Sequence, residues 1–444
     1  MSERGVGYVR STQRRVRSIP AAVVSVASGR NRARKRLALL HMTLTAPPDS
    51  PTRDAGAVRA ASGAITVTTV SVLPVFLTGA LAVQLATELG FDPAGLGLVV
   101  ALYFGVSALC SLPVGRLVER WGGAATSRIA VLGVAVVMLV LAVFADSYVS
   151  LVVILLCGAW CNVMGQLASN LTLARSVPAH RMGLSFGVKQ AAIPLATLLA
   201  GAAVPAVALT VGWRWAYVIA SGLALLALLG APRGGAYVRV PKPPPGERAT
   251  LALSVLGAGS GLGAGAANAL GIFLVTAAVD RGIAPGTAGL VLTFGSVVGF
   301  AGRLLHGWLA DRRDGGHVAF VAGSMALGAV GLVLLAVPGT PALAIGTILG
   351  FGLGWSWPGL MQFAVVRLNP SAPAAASSIV QTGVYAGGFG GPIAFGFVAA
   401  HSSFETAWLA AAGTMVAAAL LVVLGRRLLV AHRAALAAGL SRRR

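Results

Sequence analysis

Charge is what this chain has least of. Only 10% of its 444 residues are Asp, Glu, Lys or Arg, and just 12 are acidic, whereas about 25% is usual in soluble domains. All Asp and Glu lie in tails, connections or at the ends of apolar runs, and none lies inside one. With 57% hydrophobic residues, the composition excludes a soluble enzyme and indicates an integral membrane protein. Cysteine is nearly absent. Cys110, Cys157 and Cys161 all lie in apolar stretches, which leaves neither a disulfide framework nor a metal site; Cys157 and Cys161 read as packing residues on one helix face. Aromatic residues make up 7% and are not interleaved with Lys and Arg, so the net charge of +22 does not mark a nucleic-acid surface. A phosphate loop, a zinc spacing and a nucleophile with its base are all missing. No cofactor and no catalysis are therefore expected. Gly259-Ser260-Gly261-Leu262-Gly263-Ala264 matches a dinucleotide fingerprint, but it stands inside an apolar run, where small residues serve close helix packing instead.

What is present is a succession of apolar stretches between residues 64 and 430. Twelve approach the ~20 residues needed to cross a bilayer, and backbone groups in hydrocarbon must bond within their own segment, so each is expected to be a helix. The expected fold is all-α and integral to the membrane: twelve transmembrane helices arranged as two pseudo-symmetric six-helix bundles. Residues 1–60 form a disordered basic cytoplasmic tail, 61–231 the first bundle, 232–249 a Pro- and Gly-rich cytoplasmic linker, 250–431 the second bundle and 432–444 a basic cytoplasmic tail. Met42 offers a second start to the reading frame. Of the 34 Lys and Arg, 31 fall in the tails and alternate connections, against Arg214 and Arg281 on the other side and Lys189 within a span. By the positive-inside rule both termini are cytoplasmic in a multi-pass protein of the cell (inner) membrane.

The two bundles are copies. Gly115-Arg116-Leu117-Val118-Glu119-Arg120-Trp121-Gly122-Gly123 returns as Gly307-Trp308-Leu309-Ala310-Asp311-Arg312-Arg313-Asp314-Gly315. Each is a charged island after an apolar run. The interval from Glu119 to Asp311, 192 residues, also relates Pro93 to Pro285, Gly97 to Gly289, Glu88 to Asp280 and Arg175 to Arg367. A carboxylate at a helix end can bond the positive N-terminus of a neighbouring helix and pair with Arg, and Gly permits the close approach this needs. Gly115, Glu119, Arg120 and Arg175, with Gly307, Asp311, Arg312 and Arg367, are thus candidates for a conformational latch, made in one state and broken in the other.

These islands resemble the G-x-L-a-D-r-x-G loop motif of the major facilitator superfamily, with Glu119 in place of Asp, and the six-plus-six repeat agrees. Gly212-Trp213-Arg214-Trp215 is also similar to a family pattern. The resemblance covers the whole membrane region and implies a secondary transporter that works by alternating access, with its substrate bound near mid-membrane between the halves.

Polar residues inside spans are therefore the candidates for substrate binding. Lys189 reads as the only ionisable residue well within a span, about 10 Å past the inner end of the fifth at 1.5 Å per residue, where a charge is costly. Its repeat counterpart is Gln381, with Ser378 and Tyr385 on the same face; Asn162, Gln166 and Ser169 make a stripe on the fourth span, beside Asn170. Tyr103, Asn268, Trp355 and Trp357 complete the set. Pro74, Pro194, Pro205, Pro358 and Pro392 can break or bend their helices. One buried cation without a buried anion favours a small organic or inorganic anion as cargo, with a coupling proton as an option and a monomer as the working unit. Two alternatives stand beside it: proton-driven efflux of drugs or other hydrophobic compounds, and a non-transporting receptor or sensor on the same fold. The fifth span lacks the G-x-x-x-G-P-x-x-G-G pattern of family drug antiporters; a partial version, Gly387 to Pro392, stands on the eleventh.

Overall fold

Helix is the form these runs take wherever they are described, and the breaks in the fifth and tenth of them lie beside prolines that remove a donor. The computed structural model describes residues 51–176, 182–229, 249–313, 315–369 and 373–441; the expected tail through residue 50 and most of the expected linker lie outside the described residues. Gly56–Arg444 is one unit, separate from Met1–Ala55, and the following concerns the former.

The first half comprises α1 (Pro51–Ala80, resumed as Ala82–Leu89), α2 (Pro93–Trp121), α3 (Gly123–Phe144), α4 (Tyr148–Ser176), α5 (Met182–Gln190, then Ala192–Ala203 and a π turn over Val204–Ala208) and α6 (Trp213–Ala227). The second comprises α7 (Thr250–Asp280), α8 (Pro285–Arg312), α9 (His317–Ala336), α10 (Thr340–Leu349, a π turn over Gly350–Gly354, then Pro358–Leu368), α11 (Pro373–His401) and α12 (Phe404–Ser441). Among the described residues eleven spans are long and apolar enough to cross a membrane, and α6 is a shorter apolar helix. The two-bundle, all-helical architecture is the one expected. The ends differ: α1 begins at Pro51, inside the expected 1–60 tail, and α12 runs to Ser441, beyond 431, because the Ala-, Leu- and Arg-rich continuation contains only strong helix formers apart from isolated residues. Pro93 and Pro285, related by the repeat, both occupy the first turn of their helices, where the missing N–H is not needed.

Prolines act unequally. Pro74 and Pro392 lie inside helices without a break. Pro194 removes the N–H that would bond Gln190, and α5 breaks at Ala191. Pro358 removes the partner of Gly354, whose carbonyl instead accepts from the Trp357 indole at 2.9 Å.

Small residues set how closely the helices approach. Along α7 and α11, Gly257, Gly261 and Gly265 face Gly383, Gly387 and Gly391 so closely that a Cβ built on Gly383 would stand 1.9 Å from the Gly257 carbonyl oxygen, and one on Gly387 1.8 Å from that of Gly261. The dinucleotide-like stretch is thus a packing seam. Two repeat-related contacts join the halves on the face opposite the islands: Gly97 of α2 against the Pro392 carbonyl of α11, and Gly289 of α8 against the Gly201 carbonyl of α5, with built Cβ distances of 2.3 and 2.7 Å. Leu109, Val149 and Leu420, each more than 60% exposed, are examples of the apolar outer surface that suits lipid. Cys161 is buried, its sulfur filling the space beside Gly133, whereas Cys157 is exposed; the two do not share a packing role, because a helix in a bundle turns only part of its circumference inward.

On that opposite face the halves carry matching corners with the charges exchanged. In the first, Arg214 pairs with Glu88 and with Asp146 at 3.0 Å and donates to the Ala145 carbonyl at 3.3 Å. In the second, Arg281 pairs with Glu405 at 3.3 Å and donates to the carbonyl of Val337, the repeat counterpart of Ala145. Arg214 and the Trp213 indole hold the Glu88 carboxyl below the ordinary glutamate range. A lowered carboxyl stabilises the fold above its unfolded pKa, about 4.3, and that contribution is lost as pH falls through the folded value. Because the pair is solvent-exposed, it is worth under about 1 kcal/mol. Thermal melts of wild type and Glu88→Gln in detergent are expected to differ slightly at pH 7 and to converge below about pH 4.

Candidate functional site

A cavity of about 820 Å³ lies between the halves. It extends from the island-face ends of the helices, where Gly115, Val118 and Leu173 line it, to mid-span, where Phe76, Phe104 and Asn268 do. The Gly97 and Gly289 contacts close the far side. The wall is largely apolar, and Lys189 is the one charged side chain on it among the described residues, with no carboxylate.

Lys189 lines the wall just ahead of the break in α5. It stands in the last turn of Met182–Gln190 and is 7% exposed, so its chain does not run out to the surface. Gln381 and Tyr385 of α11 and Asn162, Gln166 and Asn170 of α4 line the same cavity. The Gln381 amide oxygen accepts from Gln362 of α10 at 2.8 Å; Gln362, also on the wall, is the repeat counterpart of Asn170. Asn268 of α7 is there too. Trp355 and Trp357 belong to the wall as packed aromatics: Trp357 is wholly buried, and Trp355 meets Phe76 edge-on at 5.7 Å.

Two expected polar residues point elsewhere. Tyr103 is 1% exposed and its hydroxyl donates to the Ser71 carbonyl at 3.3 Å, so it ties α2 to α1 and does not line the cavity. Ser169 is buried with its hydroxyl on Ala64 of α1. In both cases a polar group in a helix bundle is satisfied by a neighbouring backbone, as polar residues in lipid commonly are. The side chain of Ser378 lies outside the described residues.

One site-adjacent residue escaped the sequence reading. Arg303 had the appearance of a connection charge, but it lies in α8, 2% exposed, so Lys189 is not the only ionisable residue deep in a span. Its Nε and Nη2 donate to the Trp355 carbonyl at 3.1 and 2.8 Å, and its Nη1 donates to the Gln190 carbonyl. The available signal was spacing: Arg303 precedes Arg312 by nine residues, well before the island. His306, one turn further along α8, is buried edge-on against Phe320.

The second island makes a contact across the halves. The Asp311 carboxylate accepts from the Leu184 backbone N–H, in the first turn of α5, at 2.9 Å, where the helix N-terminus favours negative charge. Beside it, Gly187 brings α5 against α8: a built Cβ would be 3.2 Å from Cα of Gly307. Arg312 lies over the Trp308 ring at 3.8 Å, and Arg367 donates to the Arg313 carbonyl and meets His317 at 3.3 Å. In the first island Gly115 faces the cavity and Arg120 is exposed, while the side chains of Glu119 and Arg175 lie outside the described residues.

These features have counterparts among known proteins. A family model described as Major Facilitator Superfamily matches residues 64–251 and again 253–439, once in each half. A search of curated proteins finds no match. Among the solved structures that match is the crystal structure of a bacterial homolog to the human lysosomal transporter Spinster, in an inward-facing and occupied conformation. It is 15% identical, with 86% of this chain and 97% of that one covered and a TM-score of 0.61, which is a likeness of fold. With a family match in each bundle and the fold to go with it, the chain belongs to the Major Facilitator Superfamily.

Proposed function

We propose that this chain, a multi-pass secondary transporter, carries a small organic or inorganic anion by alternating access, with Lys189 as the group that receives its charge. The observation that supports this reading is the wall itself: among the described residues, one cation, no carboxylate, and an otherwise apolar surface with neutral amides. A buried cation without a partner is costly, and an anionic cargo would supply the partner. Gln166, Asn170, Asn268, Gln381 and Tyr385 offer hydrogen bonds for orientation. A cotransported proton would offset the anion's charge. The working unit is a monomer in the cell membrane with both termini cytoplasmic, a topology supported by the Lys and Arg distribution; in that orientation the cavity faces the cytoplasm.

The latch reading applies to the same state. Asp311 on the Leu184 N–H holds α5 to α8 and would be broken and remade as the halves rock. The test of cargo is uptake by proteoliposomes of a panel of small carboxylates and inorganic anions beside lipophilic cationic dyes. Saturable uptake of an anion, with dyes excluded, is the expected result. Uptake of the dyes without any anion would overturn the anion reading in favour of drug efflux, and a lack of flux for both panels would favour a receptor.

A further inference from the structure

The two proline breaks nearest the cavity are joined by one side chain. Gln190 has lost its helical donor because residue 194 is proline, and its carbonyl is taken by Arg303 Nη1 from the other half. Trp355 lies in the α10 break, outside both helical segments, and its carbonyl is taken by the same guanidinium through Nε and Nη2. Arg303 thus spends its planar fork on two backbone oxygens that ordinary helices would have satisfied themselves, one in each half. A buried guanidinium needs such acceptors as much as they need it.

The arrangement is not repeated. At an interval of 192 residues, Arg303 corresponds to Ser111, Pro194 to Ala386 and Pro358 to Gln166. Ser111 bonds within its own helix, to the Ala108 carbonyl. So the α5–α8 side of the pseudo-symmetric pair carries the tie, while at the corresponding place in the other pair Ser111 and Gln166 line the cavity.

We propose that Arg303 is a positioning residue for transport: a tie between the proline-freed carbonyl of Gln190 and the carbonyl of Trp355 in the α10 break that holds the Lys189 turn of α5 on the second half. This follows from the transporter fold and holds whatever the cargo. Release of the tie is then a step of the cycle.

The test uses the proline. In Pro194→Ala the new N–H can bond Gln190 itself, so α5 should no longer depend on Arg303 for that carbonyl. Spin labels at Leu184→Cys and Leu305→Cys, with the three native cysteines replaced by serine, report the α5–α8 separation in purified full-length protein. Arg303→Met is expected to shift the distance distribution toward longer separations, and Pro194→Ala to reduce that shift, with a coupling of about threefold or more in the long-to-short ratio. An unaltered distribution in Arg303→Met would overturn the proposal. So would an equal shift in both proline backgrounds, which is what a merely structural buried cation would give. Should Arg303→Met fail to fold, Arg303→Lys, which cannot bridge two carbonyls with a fork, is compared in the same two backgrounds under the same criteria.

Discussion

Replacing Lys189 with alanine is expected to lower uptake of a transported carboxylate about 30-fold or more, since removing one partner of a buried charge pair costs 2–5 kcal/mol. The loss should be large because no other cation among the described residues of the wall can stand in. Lys189 is the one charged side chain there among the described residues, and the Arg303 guanidinium is committed to Gln190 and Trp355. The neutral amides of Gln166, Asn268 and Gln381 can orient a ligand but cannot balance its charge. Lys189→Arg keeps the charge in a bulkier, planar group, and partial uptake with a raised KM is expected. Initial rates in proteoliposomes, with size-exclusion profiles to confirm folding, measure both. Uptake by a folded Lys189→Ala protein at the wild-type rate would remove Lys189 from the binding site.

Gly387→Val is expected to be the most damaging single change to stability. The first added atom would stand 1.8 Å from the Gly261 carbonyl oxygen, and that obstacle is helix backbone, which cannot rotate away as a side chain can. Overpacking typically costs 1–3 kcal/mol, and more where the backbone must move; about 3 kcal/mol or more is expected here, with loss of the monodisperse species in detergent. Gly222→Ala is the control. Nothing lies within 4 Å of a Cβ at Gly222, so this change should leave the melting temperature unchanged or raise it slightly, by the ~1 kcal/mol advantage of Ala in a helix. If both variants melt alike, the α7–α11 seam does not depend on glycine.

Several features were written in the chain before any folding was considered. Long apolar runs have one solution in hydrocarbon, so their helices and number followed from hydropathy. The 192-residue repeat gave two equivalent bundles, and equivalent bundles enclose their site between them, which is why Lys189, Gln381 and the α4 amides could be named together. The Asp311 island was legible because a carboxylate and Gly at a helix end have few other uses.

Facing and partnership were not legible. Tyr103 and Ser169 sit at depths as suitable as that of Gln381, yet carbonyls of α1 claim their hydroxyls, and only the rotation of α2 and α4 within the bundle decides this. Arg303 is the sharpest case. In the sequence it is one more basic residue ahead of a basic island, whereas in the structure a proline 109 residues before it frees the Gln190 carbonyl that it binds, and its other acceptor, the Trp355 carbonyl, lies in the break of α10. The sequence by itself determined the helices, their number, the twofold repeat and the polar residues available to a site. Tertiary structure decided which of those residues face the cavity and which interface is tied, because a helix rotated by one residue turns through about 100°, and hydrogen-bond partners distant in sequence exist only once the halves have met.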